Sequence, residues 1–358
     1  TDVAIDEVLR PIAPLRIEWQ PRVFLPFHPN GMKFVAFDKD KNKTNEWICY
    51  SVGGGALSEG ENSRWLNNLR NVYQKNTLTD IQKWCEENGR GYWEYVNECE
   101  EEDIWDYLME VWRAMQESVE RGIDHEGALP GPLNLPRKGP IYYVKASGYK
   151  QSLQSRALVY AYALSVSEEN ASGGTIVTAP TCGSCGVLPA VLYHLAKGHK
   201  FSDTRILHAL ATAGIFGNVV KTNASISGAD VGCQGEVGVA CAMASAAACQ
   251  LFGGSPSQIE YAAEMGLEHH LGMTCDPVCG LVQIPCIERN AFAATRALDA
   301  NLYASFSDGT HTVSFDRVVK VMKQTGHDLP SLYKETSEGG LARAYEMHLK
   351  HKKENKKI

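Results

Sequence analysis

The pattern of apolar and polar positions divides the chain into a short N-terminal part with strand character and a long part with helical periodicity. Residues 1–60 are mostly β in character, with apolar runs at 33–37 and 46–52 on either side of a segment rich in Lys and Asn. This arrangement predicts a hairpin that ends at the glycines 53–55. Because an isolated hairpin is marginal in water, we expect a helical body to cover it.

From about residue 61 the apolar positions take the spacing of amphipathic helices. In 103–121, for example, Ile104, Leu108 and Val111 fall on one helical face. The stretch 124–143 is dense in Pro and Gly, which predicts a loop and a candidate domain boundary. The segments predicted as helices are 79–88, 103–121, 149–167, 187–195, 204–220, 235–251, 256–270, 287–302, 315–325 and 341–350.

The two patterns together predict an α+β protein, in which a truncated small α/β domain precedes a large, mostly helical domain. The chain starts abruptly at Thr1, so its first part is expected to be the end of a domain. The predicted parts are 1–60 for the small domain, 61–140 for a helical connecting region, 141–350 for the helical domain and 351–358 for a basic tail.

The composition is that of a globular protein without the excess of basic residues that would bind polyanions. The 358 residues are 44% hydrophobic and 22% charged, and the formal net charge is −7. Such a chain lacks the basic footprint of nucleic-acid binding, and no apolar run reaches the roughly 18 residues that span a bilayer. We therefore expect no nucleic-acid partner and no membrane span.

The number of cysteines bears on the compartment. The chain has 11 cysteines and no secretory signal. An odd number of thiols in a large chain without a signal is typical of a reducing compartment. The predicted location is the cytoplasm, with the thiols reduced or bound to metal.

The region 223–286 concentrates the candidate chemistry, because six cysteines lie in it. Cys241 and Cys249 fall in an Ala-rich helical run, where packing explains them. The other four lie on bends among Gly, Pro and small polar residues: Cys233, Cys275, Cys279 and Cys286. Three thiolates from this set suit a [4Fe–4S] cluster with one open iron, which acts as a Lewis acid in dehydration. Spacing alone neither excludes buried free thiols nor decides whether Cys279 belongs to the set.

Two other patterns suggest different chemistry. Cys182 and Cys185 form a CxxC, a redox or zinc signal, and with Cys275 and Cys279 they offer a tetrathiolate zinc site. The helical surroundings argue against a thioredoxin-like motif, and we interpret the CxxC as small side chains in a tight active-site turn. The glycines 53–55 resemble a phosphate loop of a pyridoxal phosphate enzyme, but no strand–loop–helix unit accompanies them.

With these residues in view, the chain resembles the iron–sulfur-dependent L-serine dehydratases, which deaminate serine to pyruvate without pyridoxal phosphate. The resemblance runs through nearly the whole chain. Its most specific motifs are 223–238 (NASISGADVGCQGEVG) and 274–290 (TCDPVCGLVQIPCIERN). Further support comes from 27–32, 50–55, 168–186 and 333–341.

The resemblance implies a set of cluster ligands and a mechanism. Cys233, Cys275 and Cys286 match the family's cluster cysteines, and Cys279 does not. The open iron of a [4Fe–4S] cluster is then expected to activate the hydroxyl of L-serine, while a base removes the α-proton. Residues 1–60 match the end of the family's small, beta-type domain, and 141–350 match its alpha-type catalytic domain.

The resemblance also implies which side chains meet the substrate. The catalytic candidates are His28, Asn223 and Ser225, with His28 as the predicted base. The substrate-binding candidates are Asn30, Thr178, Thr181 and Ser227. His28 and Asn30 belong to the small domain and are expected to face the cluster from there.

The chain departs from the family pattern in two places. The segment 181–186 reads TCGSCG where the family has TNGAAG, and Cys279 replaces a glycine. The extra thiols are hypothesised to tune the cluster or to replace a lost ligand under oxidation. The family's opening Ser-Ser-Ser-His-Thr…Gly-Pro motif is absent, so we expect a homodimer or a partner chain to supply the missing part, and weak or no activity from this chain alone.

Two rivals remain open at the level of the sequence. The first is a related lyase, such as a cluster-dependent L-cysteine desulfidase. The second is of another class, a non-catalytic scaffold subunit that holds zinc or free thiols.

Overall fold

Helices dominate the protein, and a small antiparallel sheet lies near its N-terminus. The computed structural model describes residues 2–20, 23, 25–28, 30–60 and 72–354. The sheet and the helical body confirm the predicted α+β class. The predicted onset of the helical pattern at residue 61 and the end of the basic tail at 355–358 lie outside the described residues.

The order of helices follows the predicted succession in most places. The helices are α1 (Asp2–Leu9), α2 (Leu78–Asn88), α3 (Tyr92–Cys99), α4 (Ile104–Asp124), α5 (Gly139–Ala146), α6 (Gln151–Ala171), α7 (Val187–His199), α8 (Asp203–Asn223), α9 (Gly228–Val231), α10 (Val239–Leu251), α11 (Pro256–Glu268), α12 (Cys286–Ser305), α13 (Phe315–Asp328) and α14 (Gly340–Glu354). A π-helical turn, Gln234–Gly238, precedes α10, and short 3₁₀ turns lie at Cys182–Ser184, Val278–Gly280 and Ser331–Tyr333.

The sheet contains the predicted hairpin. Strands β1 (Gly31–Phe37) and β2 (Lys43–Ser51) pair antiparallel, and β2 also pairs with β3 (Leu57–Ser58). The chain turns from β2 to β3 at Gly53–Gly55, whose φ angles of 95°, 60° and 79° favour glycine over any other residue. The hairpin prediction is therefore confirmed.

Two features of the N-terminal half differ from the predictions in detail. Asp2–Leu9 form a helix instead of β structure, and an ion pair between Arg10 and Asp6, one turn apart, extends its last turn. The predicted loop 124–143 is shorter than expected, because α4 continues to Asp124 and α5 begins at Gly139 with Pro140 in its first turn. Proline suits that position because its φ is already helical and its missing N–H would have no helical partner.

One apolar core unites the helices. Leu78 of α2 and Trp112 of α4 are fully buried in the same cluster as Leu192 of α7, Phe216 of α8 and Phe315 of α13. The helices on either side of residue 140 thus share their core, and the predicted boundary there stays a prediction. Among the described helices, none combines the length and the apolarity that a membrane crossing needs.

The small residues of α10 let its neighbours approach closely. A Cβ at Gly266 of α11 would lie 2.8 Å from the Ser245 oxygen and 3.0 Å from the Ala242 Cα, both on α10. Glycine and alanine therefore bring the two helix backbones into contact. This packing explains the Ala-rich run that includes Cys241 and Cys249, which are fully buried in it.

Candidate metal centre and active site

Cys233 lies at the entrance to the π-helical turn, directly after α9. The residue before it, Gly232, has a φ of 75°, and a Cβ there would lie 2.6 Å from the Met273 carbonyl oxygen. Only glycine fits this bend. The π-helical turn that follows is of a kind often found at functional sites.

Gln234 ties the loop of Cys233 to the loop that leads to Cys275. Its side chain is fully buried, and its Oε1 accepts hydrogen bonds from Gly272 N at 2.9 Å and Thr325 Oγ1 at 3.0 Å. Its Nε2 donates to the Val231 carbonyl at 2.7 Å. Both ends of this amide are satisfied, so the two cysteine loops are held in a fixed relation.

Cys275 is held by backbone pairing with a segment near the C-terminus. Its N–H donates to the Tyr333 carbonyl at 2.7 Å, and its carbonyl accepts from Glu335 N at 2.7 Å. The next residue, Asp276, accepts a hydrogen bond from Leu341 N at 2.6 Å and so anchors the start of α14. The pairing brings Glu335 to the cysteine site.

Three cysteines converge, and the fourth candidate lies apart. Cys233, Cys275 and Cys286 are buried, and Cys286 is the first residue of α12. The Cys233 and Cys275 side chains hydrogen-bond to each other. Burial, followed by the charge of Cys233, raises the pKa of Cys286. Cys279 is exposed, in a left-handed backbone conformation with a φ of 59°.

Arg289 supplies positive charge beside these thiols. It lies one turn after Cys286 on α12, and it donates to the Thr274 carbonyl at 2.6 Å. The hydrogen bond from Cys275, together with Arg289, lowers the pKa of Cys233 to about 7 in spite of its burial. The same hydrogen bond and burial raise the pKa of Cys275. Cys233 is therefore the thiol of the pair that ionises first.

Two carboxylates face Cys275. One ligand atom from each of Glu236, Cys275 and Glu335 lies within 4.8 Å of the other two. Withdrawal from water and the charges of Glu335 and Cys233 raise the pKa of Glu236 well above its ordinary value. Withdrawal from water also raises the pKa of Glu335. Like charges this close make the ionisation of both groups costly unless a cation is present.

The approach of the two carboxylates depends on Gly228. A Cβ at this position would lie 2.7 Å from Glu236 Oε2 and 2.8 Å from Glu335 Oε1. Any side chain there would displace at least one carboxylate. The first residue of α9 is thus part of the shape of the site.

Thr181, Ser225 and Ser227 lie around this centre. Buried Thr181 donates from Oγ1 to Glu236 Oε1 at 2.8 Å. Ser225 donates to Asp230 Oδ2 at 2.9 Å and accepts from Ser227 N at 3.1 Å. Thr181 therefore contacts a carboxylate of the site, and Ser225 and Ser227 lie on the turn directly before α9, which leads to Cys233.

The N-terminal part reaches the same place. Asn30 donates from Nδ2 to Glu335 Oε2 at 3.3 Å, and buried His28 places its Nε2 3.8 Å from Asp230 Oδ1. A Cβ on Gly54 would touch the Pro180 carbonyl oxygen at 3.0 Å. The sheet and the loop before it thus form one wall of the site.

Comparison with known proteins decides the family. The profile of the family described as "Serine dehydratase alpha chain" matches residues 39–342, and that of "Serine dehydratase beta chain" matches 11–62. The chain belongs to the serine dehydratase family.

Several members of this family are similar to the chain over most of its length. The "L-serine dehydratase" of Streptomyces coelicolor is 44% identical over 333 residues, which cover 90% of this chain and 73% of that protein. The "L-serine dehydratase" of Haemophilus influenzae is 42% identical, over 90% of this chain and 73% of the relative. That of Helicobacter pylori is 37% identical, over 88% and 72%.

Two of the residues predicted from the family resemblance, Asn223 and Thr178, have no described contact with a cysteine or with a charged residue of the site. Asn223 donates from Nδ2 to the Asn76 carbonyl at 2.6 Å and to the Val219 carbonyl at 2.9 Å. The NH₂ group of its side chain therefore binds the last turn of α8 and the segment before α2. Thr178 is exposed on the segment that leads to Thr181.

The two thiols that depart from the family pattern differ in their surroundings. Cys185 is fully buried, and burial raises the pKa of its thiol far above the ordinary value. Cys182 is an exposed residue at the edge of the site. Its thiol is nevertheless partly withdrawn from water, and this desolvation, with the charges of Glu236 and Glu335, raises its pKa too. Neither thiol is in the thiolate form at neutral pH, which makes a redox pair an unfavourable interpretation.

Four charged residues of the site were missed as candidates at the sequence level: Asp230, Glu236, Arg289 and Glu335. Each lies inside one of the motifs that carry the family resemblance, at 223–238, 274–290 or 333–341. Membership of such a motif was the available signal. Their charge alone was not, since 77 residues of the chain are acidic or basic.

A cleft of about 750 Å³ opens elsewhere, between α2, α11 and α13. Polar and charged side chains line it, including Lys83, Glu260, His311 and Arg317. His311 Nε2 lies 2.7 Å from Glu260 Oε2 at its wall. No cysteine lines this cleft, so the thiol chemistry belongs to the site around Cys275.

Proposed function

We propose that the protein is an L-serine ammonia-lyase that converts L-serine to pyruvate and ammonia, with a [4Fe–4S] cluster held by Cys233, Cys275 and Cys286. The observation that carries the proposal is the convergence of these three buried thiols beside Arg289 and two carboxylates. The names of the relatives agree with this substrate.

The donor set fits such a cluster. Iron–sulfur clusters are held by cysteine thiolates, and the pKa of about 7 for Cys233 makes the first of them available at neutral pH. Exposed Cys279 lies outside the set, so three thiolates are offered and one iron keeps an open position. When bound, the cluster would supply a Lewis acid for the departure of the serine hydroxyl.

The side chains around the thiols suit a small zwitterion. In this proposal the carboxylates of Glu236 and Glu335 accept hydrogen bonds from the ammonium group of L-serine, and Arg289, beside Cys233, offers a positive charge for its carboxylate. Thr181 and Asn30 orient Glu236 and Glu335 through their hydrogen bonds of 2.8 Å and 3.3 Å. Polar groups fixed before the substrate arrives need no reorganisation during the reaction.

His28 contacts the substrate in this proposal. Its Nδ1 accepts a hydrogen bond from Asn30 N at 3.2 Å, so in the neutral ring the proton lies on Nε2. Nε2 is buried and has no hydrogen-bond partner among the described residues. It is a free donor for a substrate oxygen. To act as the predicted base, Nε2 needs a free lone pair, which requires the other neutral tautomer, with the proton on Nδ1; the hydrogen bond from Asn30 N to Nδ1 opposes that tautomer.

Pyruvate formation from L-serine tests the proposal. After anaerobic reconstitution, we expect Cys233→Ser, Cys275→Ser and Cys286→Ser each to lower turnover on the order of 100-fold or more, because each removes a cluster ligand. Cys279→Ser is the matched control and keeps the activity. A ratio between variants is informative even where the turnover of this chain is low.

Two outcomes would refute the proposal. Equal activity in all four serine variants would show that the three thiols are not ligands. Faster release of sulfide from L-cysteine than of pyruvate from L-serine would favour the related lyase. His28→Asn in the same assay reports on the histidine, and unchanged turnover would remove it from the site.

The geometry also favours a second candidate, a non-catalytic site for a single divalent ion. Glu236, Cys275 and Glu335 present one sulfur and two carboxylates within 4.8 Å, a set that suits zinc. Such a site leaves Cys233 and Cys286 without a role. Metal and sulfide analysis separates the two candidates.

We also propose that the enzyme works in the cytoplasm as a homodimer or with a partner chain. The cysteines of the described residues are all free, which suits a reducing compartment. Large apolar side chains remain exposed on α5 and α12, among them Val144, Phe292 and Tyr303. A solution mass of one chain by light scattering, without any partner, would contradict the assembly.

A further inference from the structure

The inference concerns Asn290, a buried amide on α12 that touches neither a thiol nor a carboxylate of the site. Its side chain is 1% exposed. It lies one helical turn after Cys286 and beside Arg289. Neither the family motifs nor the chemistry of the cysteines assigns a role to it.

The carboxamide of Asn290 makes three hydrogen bonds that join separate parts of the site. Its Oδ1 accepts from Gly186 N at 2.9 Å, and its Nδ2 donates to the Gly183 carbonyl at 2.8 Å. The same Nδ2 donates to the Cys286 carbonyl at 2.9 Å. Two acceptors face the NH₂ group and one donor faces the oxygen, so the orientation of the amide is fixed by its partners.

The segment held in this way is the turn 181–186, which carries Thr181. That threonine donates a hydrogen bond to Glu236. The Asn290 carboxamide therefore also influences the position of Glu236, through the turn. The close fit requires glycine at position 186, where a Cβ would lie 2.5 Å from both the Ala163 carbonyl oxygen and Ser167 Oγ. The turn therefore has little room to find another position.

We infer that Asn290 is a positioning residue, which sets the turn 181–186, and with it Thr181 and Glu236, against the ligand helix that begins at Cys286. Side chains that orient the groups around a metal centre affect activity without contacting the substrate. The inference rests on the proposed function, because it assigns the turn to that active site.

Asn290→Asp tests the inference with almost no change of shape. The substitution replaces the NH₂ donor by an oxygen that faces the carbonyls of Gly183 and Cys286. We expect unchanged iron content after reconstitution and a kcat per bound cluster that falls about 10- to 100-fold, the range for outer partners of metal ligands. In the metal-free chain, the amide of Gly186 should exchange with solvent faster than in the wild type.

Asn301→Asp is the matched control. Asn301 is a buried asparagine on the same helix, and it accepts a hydrogen bond from Ser305 Oγ at 3.2 Å, away from the cysteines. The control carries the same chemical change, so it shares any general loss of stability. It should keep the wild-type kcat per cluster and the wild-type exchange at Gly186. If Asn290→Asp does not fold, Asn290→Ala, which adds no repelling oxygen, takes its place.

The inference is overturned if kcat per cluster falls no further in the Asn290 variant than in the control. It is also overturned if exchange at Gly186 is unchanged, or if lost iron accounts for all of the lost activity. If the wild-type chain takes up no iron–sulfur cluster on reconstitution, the proposed function fails instead. The exchange measurement on metal-free protein then still decides whether Asn290 holds the turn.

Discussion

At the scale of single residues, the cysteines show which part of the site the sequence alone does not predict. Cys279 lies among the same small residues as Cys275 and Cys286, so composition gives no reason to separate them. In the structure it occupies a left-handed backbone position at the surface, with its thiol in solvent. The choice of three thiols from four depends on the path of the backbone, which residue types alone do not specify.

Among the charged residues of the site, Glu335 is the one that the sequence gives least reason to expect there. It contacts Asn30 across 305 positions of sequence, and no periodicity relates the two. Its φ of 60° is uncommon for a residue with a side chain, and the backbone pairing with Cys275 holds it there. A constraint of this kind becomes visible only once the fold is known.

Gly228 provides a prediction at this scale. In Gly228→Ala the new methyl group meets Glu236 and Glu335 at 2.7 Å and 2.8 Å, so at least one carboxylate has to move. Displacement of about 1 Å in a site of fixed geometry costs on the order of 100-fold in rate. We expect a loss of this size in pyruvate formation, while the chain stays folded.

Gly214→Ala is the control for this change. Gly214 lies inside α8, and a Cβ there meets nothing within 4 Å. The alanine should keep the activity and raise the free energy of unfolding by about 0.5–1 kcal/mol, since glycine is costly inside a helix. Equal activity of the two alanine variants, measured alongside urea unfolding, would show that Gly228 does not shape the site.

At the scale of elements, apolar periodicity located the long helices but not all of their ends. The start of α11 at Pro256 was predicted correctly, because its signal is local: Ser255 Oγ accepts from Gln258 N, and proline occupies the first helical position. The start of α2 lies one residue before the predicted 79, at Leu78, because Thr77 caps the helix, while Thr79 bonds to Asp316 of α13. Contacts between distant elements decide such positions.

Helix α11 carries a buried acid that makes stability depend on pH. Burial, with the nearby Glu268, raises the pKa of Glu264 to about 8. The folded chain therefore holds a proton that the unfolded chain releases above the ordinary pKa of a glutamate. Stability is greatest below that value, and it falls as the pH rises from the ordinary pKa towards about 8.

Glu264→Gln removes this dependence. The glutamine stays neutral, so its gain in melting temperature over the wild type should be larger at about pH 8.5 than at about pH 5.5. Thermal unfolding of the metal-free chain measures it. Glu110→Gln, an exposed position on α4, should show no such difference. A gain that is the same at both pH values would contradict the assignment.

At the scale of the whole molecule, the sequence predicted the division into a sheet and a helical body, and the structure confirms it. The same sequence did not predict how the two meet. The contacts of Asn30 with Glu335 and of Gly54 with Pro180 join segments that are far apart in the chain. Segments from several motifs together form this wall of the site, so no single motif predicts it.

The central claim is that three thiols of this chain hold an iron–sulfur cluster. Iron and acid-labile sulfide, measured per 39.4-kDa chain after anaerobic reconstitution, test it most directly. We predict about four irons and four sulfides per chain, as in a [4Fe–4S] cluster, with a large loss in Cys233→Ser, Cys275→Ser and Cys286→Ser but not in Cys279→Ser. Zinc at about one per chain without sulfide would contradict the account.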